Sequence, residues 1–239
     1  MKILYRISDG GNAKAKLPFV YDKKKMFLHF IKIFQNHDVY VFADNVTEET
    51  FQFLRENYNR PDKIFRISLG NAKSFMFTLH FAFLNFDDEE KVYFAEDDYI
   101  YTKSAPDVIE QGLSIADYSS GYDHPDKYIN SNEGGNPLVE KGGESTRVMI
   151  TNNSHWKLTN SCCMTFASTV KTLKEDYDIV LKNCSGWGPG HPYDFGLFCD
   201  LYKKNRTLVS SIPGVSTHGE ILWLAKFVDW EKEFTDSIN

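Results

Sequence analysis

The stretch at residues 91–101, KVYFAEDDYIY, constrains this chain more than any other. Val92, Tyr93, Phe94 and Ala95 form a short apolar run that leads straight into Glu96, Asp97 and Asp98. Such a run, bounded by polar residues, predicts a strand buried on both faces. Three consecutive carboxylates at its end repel one another and resist leaving water. A divalent cation relieves that conflict, because hard cations take carboxylate oxygens as ligands. Alternation along a strand would send Glu96 and Asp98 one way and Asp97 the other.

The residues before this strand give it a setting. Apolar patterns predict strands at 2–7, 39–43 and 64–69. Between them, helical spacing appears at Phe27, Phe30, Ile31 and Phe34, with Asp22 as cap. It recurs at Phe51, Leu54 and Tyr58, with Thr47 as cap and Pro61 as stop. Residues 75–86 fit either period. A helix is favoured because a crossover between parallel strands needs one. The first hundred residues thus read β-α-β-α-β-α-β, an α/β fold whose mostly parallel sheet carries helices on both faces. Ligands of such sheets bind beyond the carboxyl ends of the strands. The polar residues expected there are Ser8, Asp9, Asp44, Asn71, Lys73 and Glu96–Asp98, which brings them to one rim.

The later half is less regular. A helix is expected after Pro106, and the polar, glycine-rich residues 117–146 read as a mobile loop over a site. Strands are expected at 147–151 and 162–166. A helix capped by Ser168 or Thr169 should run through Leu181. Another should span about 192–204 with Asp194 in its first turn, followed by a strand at 208–212 and an aromatic helix at 221–234. No repeat or linker interrupts the chain, so 239 residues are read as one domain.

A net charge of −6 argues against a nucleic-acid scaffold. No segment reaches the roughly 18 apolar residues of a membrane span. The N-terminus lacks a signal-peptide pattern, so a cytoplasmic setting is expected. Cys162, Cys163, Cys184 and Cys199 show no metal or redox spacing and read as reduced thiols.

The motifs VYFAEDDY (92–99), VFADN (41–45), HPYDF (191–195) and STHGE (216–220) together resemble the GT-A type of nucleotide-sugar-dependent glycosyltransferases. The opening KILYRISD and the central SHW are similar to small GT-A enzymes of bacterial polysaccharide clusters and large DNA viruses. The resemblance implies a single Rossmann-like domain, with residues 1–101 as its nucleotide-binding half and 102–239 as its acceptor-binding half, using a nucleotide-sugar donor, UDP-sugar favoured, a glycan or glycoconjugate acceptor, and Mn2+ or Mg2+. It places Asp98 on the metal, with Glu96 and Asp97 towards the ribose and the ion's water shell. His218 would be a late metal ligand or phosphate contact, and Asp44 would accept from the base. Arg6 and Lys73 lie near the expected phosphate rim.

An inverting transfer needs a carboxylate to take the acceptor hydroxyl's proton. Asp194, at a helix N-terminus, is the candidate, with Glu220 in reserve. Trp156 and Trp187 would be platforms for sugar faces, and His155 would touch acceptor or phosphate. Two other classes compete. A sugar-1-phosphate nucleotidyltransferase would need a lysine-bearing glycine loop after the first strand, which Gly10-Gly11-Asn12-Ala13-Lys14 imitates only weakly. A non-catalytic sugar-binding module would have no use for the acid cluster. The letters set no oligomeric state.

Overall fold

The computed structural model describes residues 1–10, 15–186 and 190–238. The expected alternation forms its first half: β1 (Lys2–Ile7), α1 (Lys23–Ile33), β2 (Asp38–Asp44), α2 (Glu48–Asn57), β3 (Ile64–Ile67), α3 (Asn71–Asn85) and β4 (Lys91–Glu96). Asp22 and Thr47 cap α1 and α2 through their side chains. The ambiguous segment is helical, and α3 starts four residues earlier than its apolar pattern, at Asn71. Gly70 precedes it with φ of +81°, a conformation that favours glycine.

After β4 the chain turns at once into β5 (Tyr99–Tyr101), followed by α4 (Ala105–Gly112), β6 (Tyr118–Ser120), β7 (Val148–Ile150), β8 (His155–Leu158) and β9 (Phe166–Thr169). Then come α5 (Val170–Glu175), α6 (Tyr177–Cys184), α7 (Asp194–Lys203), β10 (Leu208–Ile212), β11 (Ser216–His218) and α8 (Trp230–Ile238). Among the described residues, nine strands make one sheet in the order β3-β2-β1-β4-β9-β6-β10-β8-β7. Only β9 and β8 run against the rest, so the sheet is mostly parallel in direction. β5 and β11 pair separately, with His218 opposite Tyr99.

The period-2 pattern of β4 divides the core. Tyr93 and Ala95 join Tyr5, Phe27, Phe30 and Phe234 on the face covered by α1, α4 and α8. Val92 and Phe94 join Leu4, Phe75, Leu79 and Leu197 on the face covered by α3 and α5–α7. Both faces of β4 are buried, as its short apolar run predicts.

Several expectations need correction. The strand expected at 162–166 begins only at Phe166, because Cys163 and Met164 take φ of 51° and 60° and break extended geometry. The helix expected to run through Leu181 is interrupted at Asp176, whose buried carboxylate accepts from Tyr118, Lys204 and Arg206. The aromatic helix expected at 221–234 is a short 3-10 turn at Ile221–Trp223 and then α8, starting only at Trp230. Residues 117–146 are not an unpacked loop. They supply β6 and two 3-10 turns, and they bury Lys127, Asn136 and Val139. Lys127 donates to Asn160 at 2.6 Å, and Asn136 and Asn160 donate to one another's carbonyls at 3.0 Å. Polar composition imitated a solvated loop because these groups satisfy one another inside. Trp156 is likewise a core residue, fully buried, with its indole donating to Thr151 at 2.8 Å and its ring seated over Gly112.

His29 joins three elements. It is fully buried in α1, accepts from the Tyr101 amide of β5 at 3.0 Å, and meets Ser237 of α8 at 2.5 Å. Burial pushes its pKa down to about 3. The unfolded chain therefore takes up this proton first as pH falls below about 6.5, and stability present above that value is lost on the way towards pH 3. Between pH 6.5 and 5 the loss attributable to His29 should be on the order of 2 kcal/mol. Urea titrations at several pH values should show this slope in the parent and its removal in His29→Gln; equal slopes would contradict the assignment.

Candidate functional site

Strand register builds the site. Arg6 lies directly opposite Glu96 across the parallel β1–β4 pair, and both face α3. The Arg6 guanidinium pairs with Glu96 and donates to the Asn71 carbonyl at 2.6 Å, the Ser74 hydroxyl at 2.9 Å and the Asn71 side chain at 3.1 Å. It thereby locks the first turn of α3 to the ends of two strands. Asp97 points to the opposite face, as alternation predicts. It accepts from the Ser8 amide at 2.7 Å and from the Lys23 ammonium, in the first turn of α1, at 2.7 Å.

Asp98 departs from the expected alternation. Residues 97 and 98 form the turn into β5, and this turn carries Asp98 towards β11 instead of beside Glu96. One Asp98 oxygen, Oδ2, lies 2.9 Å from His218 Nε2 and 2.6 Å from Lys16 Nζ. Glu220 meets the other ring nitrogen of His218 at 3.3 Å. Asp98, His218 and Glu220 are thus brought together from positions over a hundred residues apart.

These charges are buried, and their environments differ. Burial raises the Asp97 pKa, and the opposing pulls of Lys23 and neighbouring Asp98 leave it raised. Asp98 is buried too, but His218 and Lys16 hold its carboxyl well below the usual carboxylate range. Burial alone would lower the His218 pKa; Asp98 and Glu220 reverse this and raise it.

Above the acids lies a cleft of about 300 Å³, walled by Arg6, Ser8, Lys23, Asp44, Gly70 and Glu96 among others. Asp44 is one of its walls. Its carboxylate accepts from the Leu69 amide at 2.7 Å and the Gly70 amide at 3.0 Å, tying β2 to the turn before α3. Lys73 is exposed on α3 and does not line this cleft. His155 is exposed at the start of β8, opposite Ile212, so it stands on the same rim but several strands away. Trp187, like Gly11–Lys14, lies outside the described residues.

Asp194 begins α7 as expected. Its two oxygens accept the amides of Cys162 at 2.8 Å, Cys163 at 3.0 Å and Met164 at 3.0 Å. That makes it a clasp for the left-handed turn that leads into β9, and a hydrogen-bonded carboxylate can hold such strained backbone in place.

The expected Mn2+ or Mg2+ can be tested against the donor set. Asp98 Oδ2 and His218 Nε2 stand as far apart as two neighbouring ligands about 2.1 Å from one ion, a separation of about 3 Å. Among the described residues no group of three His, Cys, Asp or Glu converges on one point. Two protein ligands suit an ion that takes its other oxygens from phosphate and water. Asp98 and His218 fit that use, although Lys16 now sits on the shared oxygen.

Lys16, Lys23 and Ser74 are site residues that sequence reasoning missed. The usable signal was arithmetic. Three crowded acids, one of them buried, need cations; strand register supplies only Arg6, and residues 14–25 hold five lysines directly after β1.

A second cleft, of about 700 Å³, lies between residues 138–147 and α7, walled by Leu138, Leu158, Phe198, Tyr202 and Arg206 among others. It contains none of the predicted site residues.

No family model matches the chain, and no curated protein matches it in sequence. Solved structures do. A proposed glucose-1-phosphate thymidylyltransferase of Bacillus anthracis, solved with sucrose, is similar over 99% of this chain and 96% of its own, with a TM-score of 0.51 at 11% identity. The galactosyltransferase LgtC, solved with donor and acceptor sugar analogues, is similar over 84% of this chain and 69% of its own, at 0.43 and 9%. A proposed nucleotide-diphospho-sugar transferase of Desulfovibrio desulfuricans covers 87% and 78%, at 0.48 and 12%. The likeness to the thymidylyltransferase shows a shared fold, an α/β domain whose mostly parallel sheet carries helices on both faces, as expected from the sequence.

The clasp at Asp194 has a measurable consequence. Asp194→Ala strands three amide donors and should destabilise the protein by about 3 kcal/mol or more, since one buried unpaired group costs about 1–3 kcal/mol. Asp194→Asn keeps one acceptor oxygen and should cost less. An unchanged urea midpoint in Asp194→Ala would remove the clasp from the account.

Proposed function

We propose that the protein is a glycosyltransferase that moves a sugar from a nucleoside-diphosphate sugar to a hydroxyl of a glycan or glycoconjugate. One observation carries this reading: the acid at the end of β4 is joined to His218 from the far end of the chain, beside Lys16, Lys23 and Arg6, under a cleft at the carboxyl ends of parallel strands. A departing diphosphate gains negative charge as the glycosidic bond breaks, and fixed positive groups stabilise that charge. Asp98 and His218 would hold the Mn2+ or Mg2+ ion, which when bound supplies Lewis-acid stabilisation of the diphosphate.

The chain's own groups do the rest. Arg6 holds the first turn of α3 at the strand ends, and the positive end of a helix favours an anion there. Glu220 orients the His218 ring through Nδ1. Asp44 shapes the base end of the cleft by fixing the turn at Leu69 and Gly70. Asp194 is a positioning residue in this reading, keeping the Cys162–Cys163 carbonyls near the Tyr99 hydroxyl, at 3.5 Å from each. Soluble UDP-sugars are the favoured donors.

A second reading has its own support. Lys16 and Lys23 come from the connection after β1, which is where a sugar-1-phosphate nucleotidyltransferase needs cations for a nucleoside triphosphate. Both reactions can be run side by side. Nucleotide sugars with Mn2+ should release nucleoside diphosphate slowly even without acceptor, and Asp98→Asn should lower that release by about 10²-fold or more. Pyrophosphate release from sugar 1-phosphate and a nucleoside triphosphate, without donor hydrolysis, would favour the second reading. Sugar binding with neither reaction would make the protein a binding module.

A further inference from the structure

Each acid at the end of β4 has its own cation: Arg6 for Glu96, Lys23 for Asp97 and Lys16 for Asp98. The third pair differs from the others in place. Lys16 is only 4% exposed, and its ammonium sits on the carboxylate oxygen that also faces His218. Backbone pairing holds it there. Lys16 bridges to Glu220, the Leu17 amide donates to the Gly219 carbonyl at 3.0 Å, and the Ile221 amide donates to the Ala15 carbonyl at 3.1 Å. Residues 15–17 are thus stitched to the segment leaving His218. The Lys16 amide also donates to the Tyr21 hydroxyl at 3.0 Å.

We infer that Lys16 is a resident counter-ion of the donor site, holding the cation position at Asp98 until a divalent ion enters, and then turning to the donor's diphosphate. This rests on the transferase reading above. An ion about 2.1 Å from Asp98 Oδ2 would lie within about 4.7 Å of the ammonium as now placed, and like charges that close repel strongly in a partly dry site. Ion and ammonium therefore compete for one oxygen. A nucleoside diphosphate resolves the competition, because its oxygens accept from an ammonium while also ligating the ion. Lys16 borders a neighbouring cleft of about 380 Å³ that shares Lys23 with the donor cleft, so its stem runs beside open space. The device keeps the buried Asp98 neutralised in the ligand-free protein and couples ion entry to donor entry.

Titration of Mn2+ into the nucleotide-free protein, followed by electron paramagnetic resonance of the free ion, tests this directly. Lys16→Met should bind Mn2+ about tenfold more tightly than the parent or better, and should bind UDP about tenfold more weakly when no divalent ion is present. Lys16→Arg, which keeps the charge, should stay near the parent in both. Lys23→Met should raise Mn2+ affinity less than Lys16→Met, because Lys23 meets Asp97. Should Lys16→Met fail to fold, Lys16→Gln removes the same charge and is read in the same way. Unchanged or weaker Mn2+ binding in the charge-removing variant overturns the inference. A parent that binds Mn2+ but none of UDP, GDP, ADP and CDP overturns the transferase reading, whereas a parent that binds Mn2+ and one of these, with a variant of unchanged Mn2+ affinity, overturns this inference alone.

Discussion

Three carboxylates at the end of a doubly buried strand cannot stay there uncompensated, and much of the structure is arranged to compensate them. Moving one unpaired charge out of water costs several kcal/mol, so each acid is met by a cation from a different part of the chain. Arg6 arrives by strand register, Lys23 by the start of α1, and Lys16 by a segment pinned to the residues after β11. Three elements are thereby drawn to one rim, together with His218 and the first turn of α3. Stability and the means of holding an anionic ligand come from the same contacts.

The second half of the chain supports this rim from behind. β9 enters the sheet beside β4 in reverse, and Asp194 holds the strained turn that precedes it. The buried network of Lys127, Asn136 and Asn160 gives residues 123–147 a fixed course with few apolar side chains. Polar groups that satisfy one another can specify such a course where hydrophobic packing does not. β11 then returns His218 and Glu220 to Asp98.

What could be read from the letters followed the range of the interactions involved. The strands and helices of the first hundred residues announce themselves by local period and caps, and the carboxyl-end rule brings Ser8, Asp44, Asn71 and Glu96–Asp98 to one cleft. Local pattern failed where distant partners decide. Trp156 resembles a surface platform beside Ser154 and His155, yet Gly112 makes room for its ring inside. Asp98 was expected beside Glu96, but the turn into β5, set by pairing with β11, takes it elsewhere. Lys16 looks like one more lysine of a polar loop, and only the course of residues 219–221 shows why it is buried. Asp194 was rightly placed at a helix start, but its hydrogen-bond partners belong to a turn thirty residues earlier that no periodicity marks.

The central claim is that the acid–cation rim at the ends of β1 and β4 is where a nucleoside diphosphate binds. A crystal structure of the protein with UDP and Mn2+ tests it most directly. The account predicts diphosphate density in the cleft between Ser8, Gly70 and Asp98, with the Lys16 ammonium moved from Asp98 to a phosphate oxygen and a manganese peak between Asp98 and His218. Nucleotide density in the larger cleft between residues 138–147 and α7, with the three acid–cation pairs intact, would contradict it.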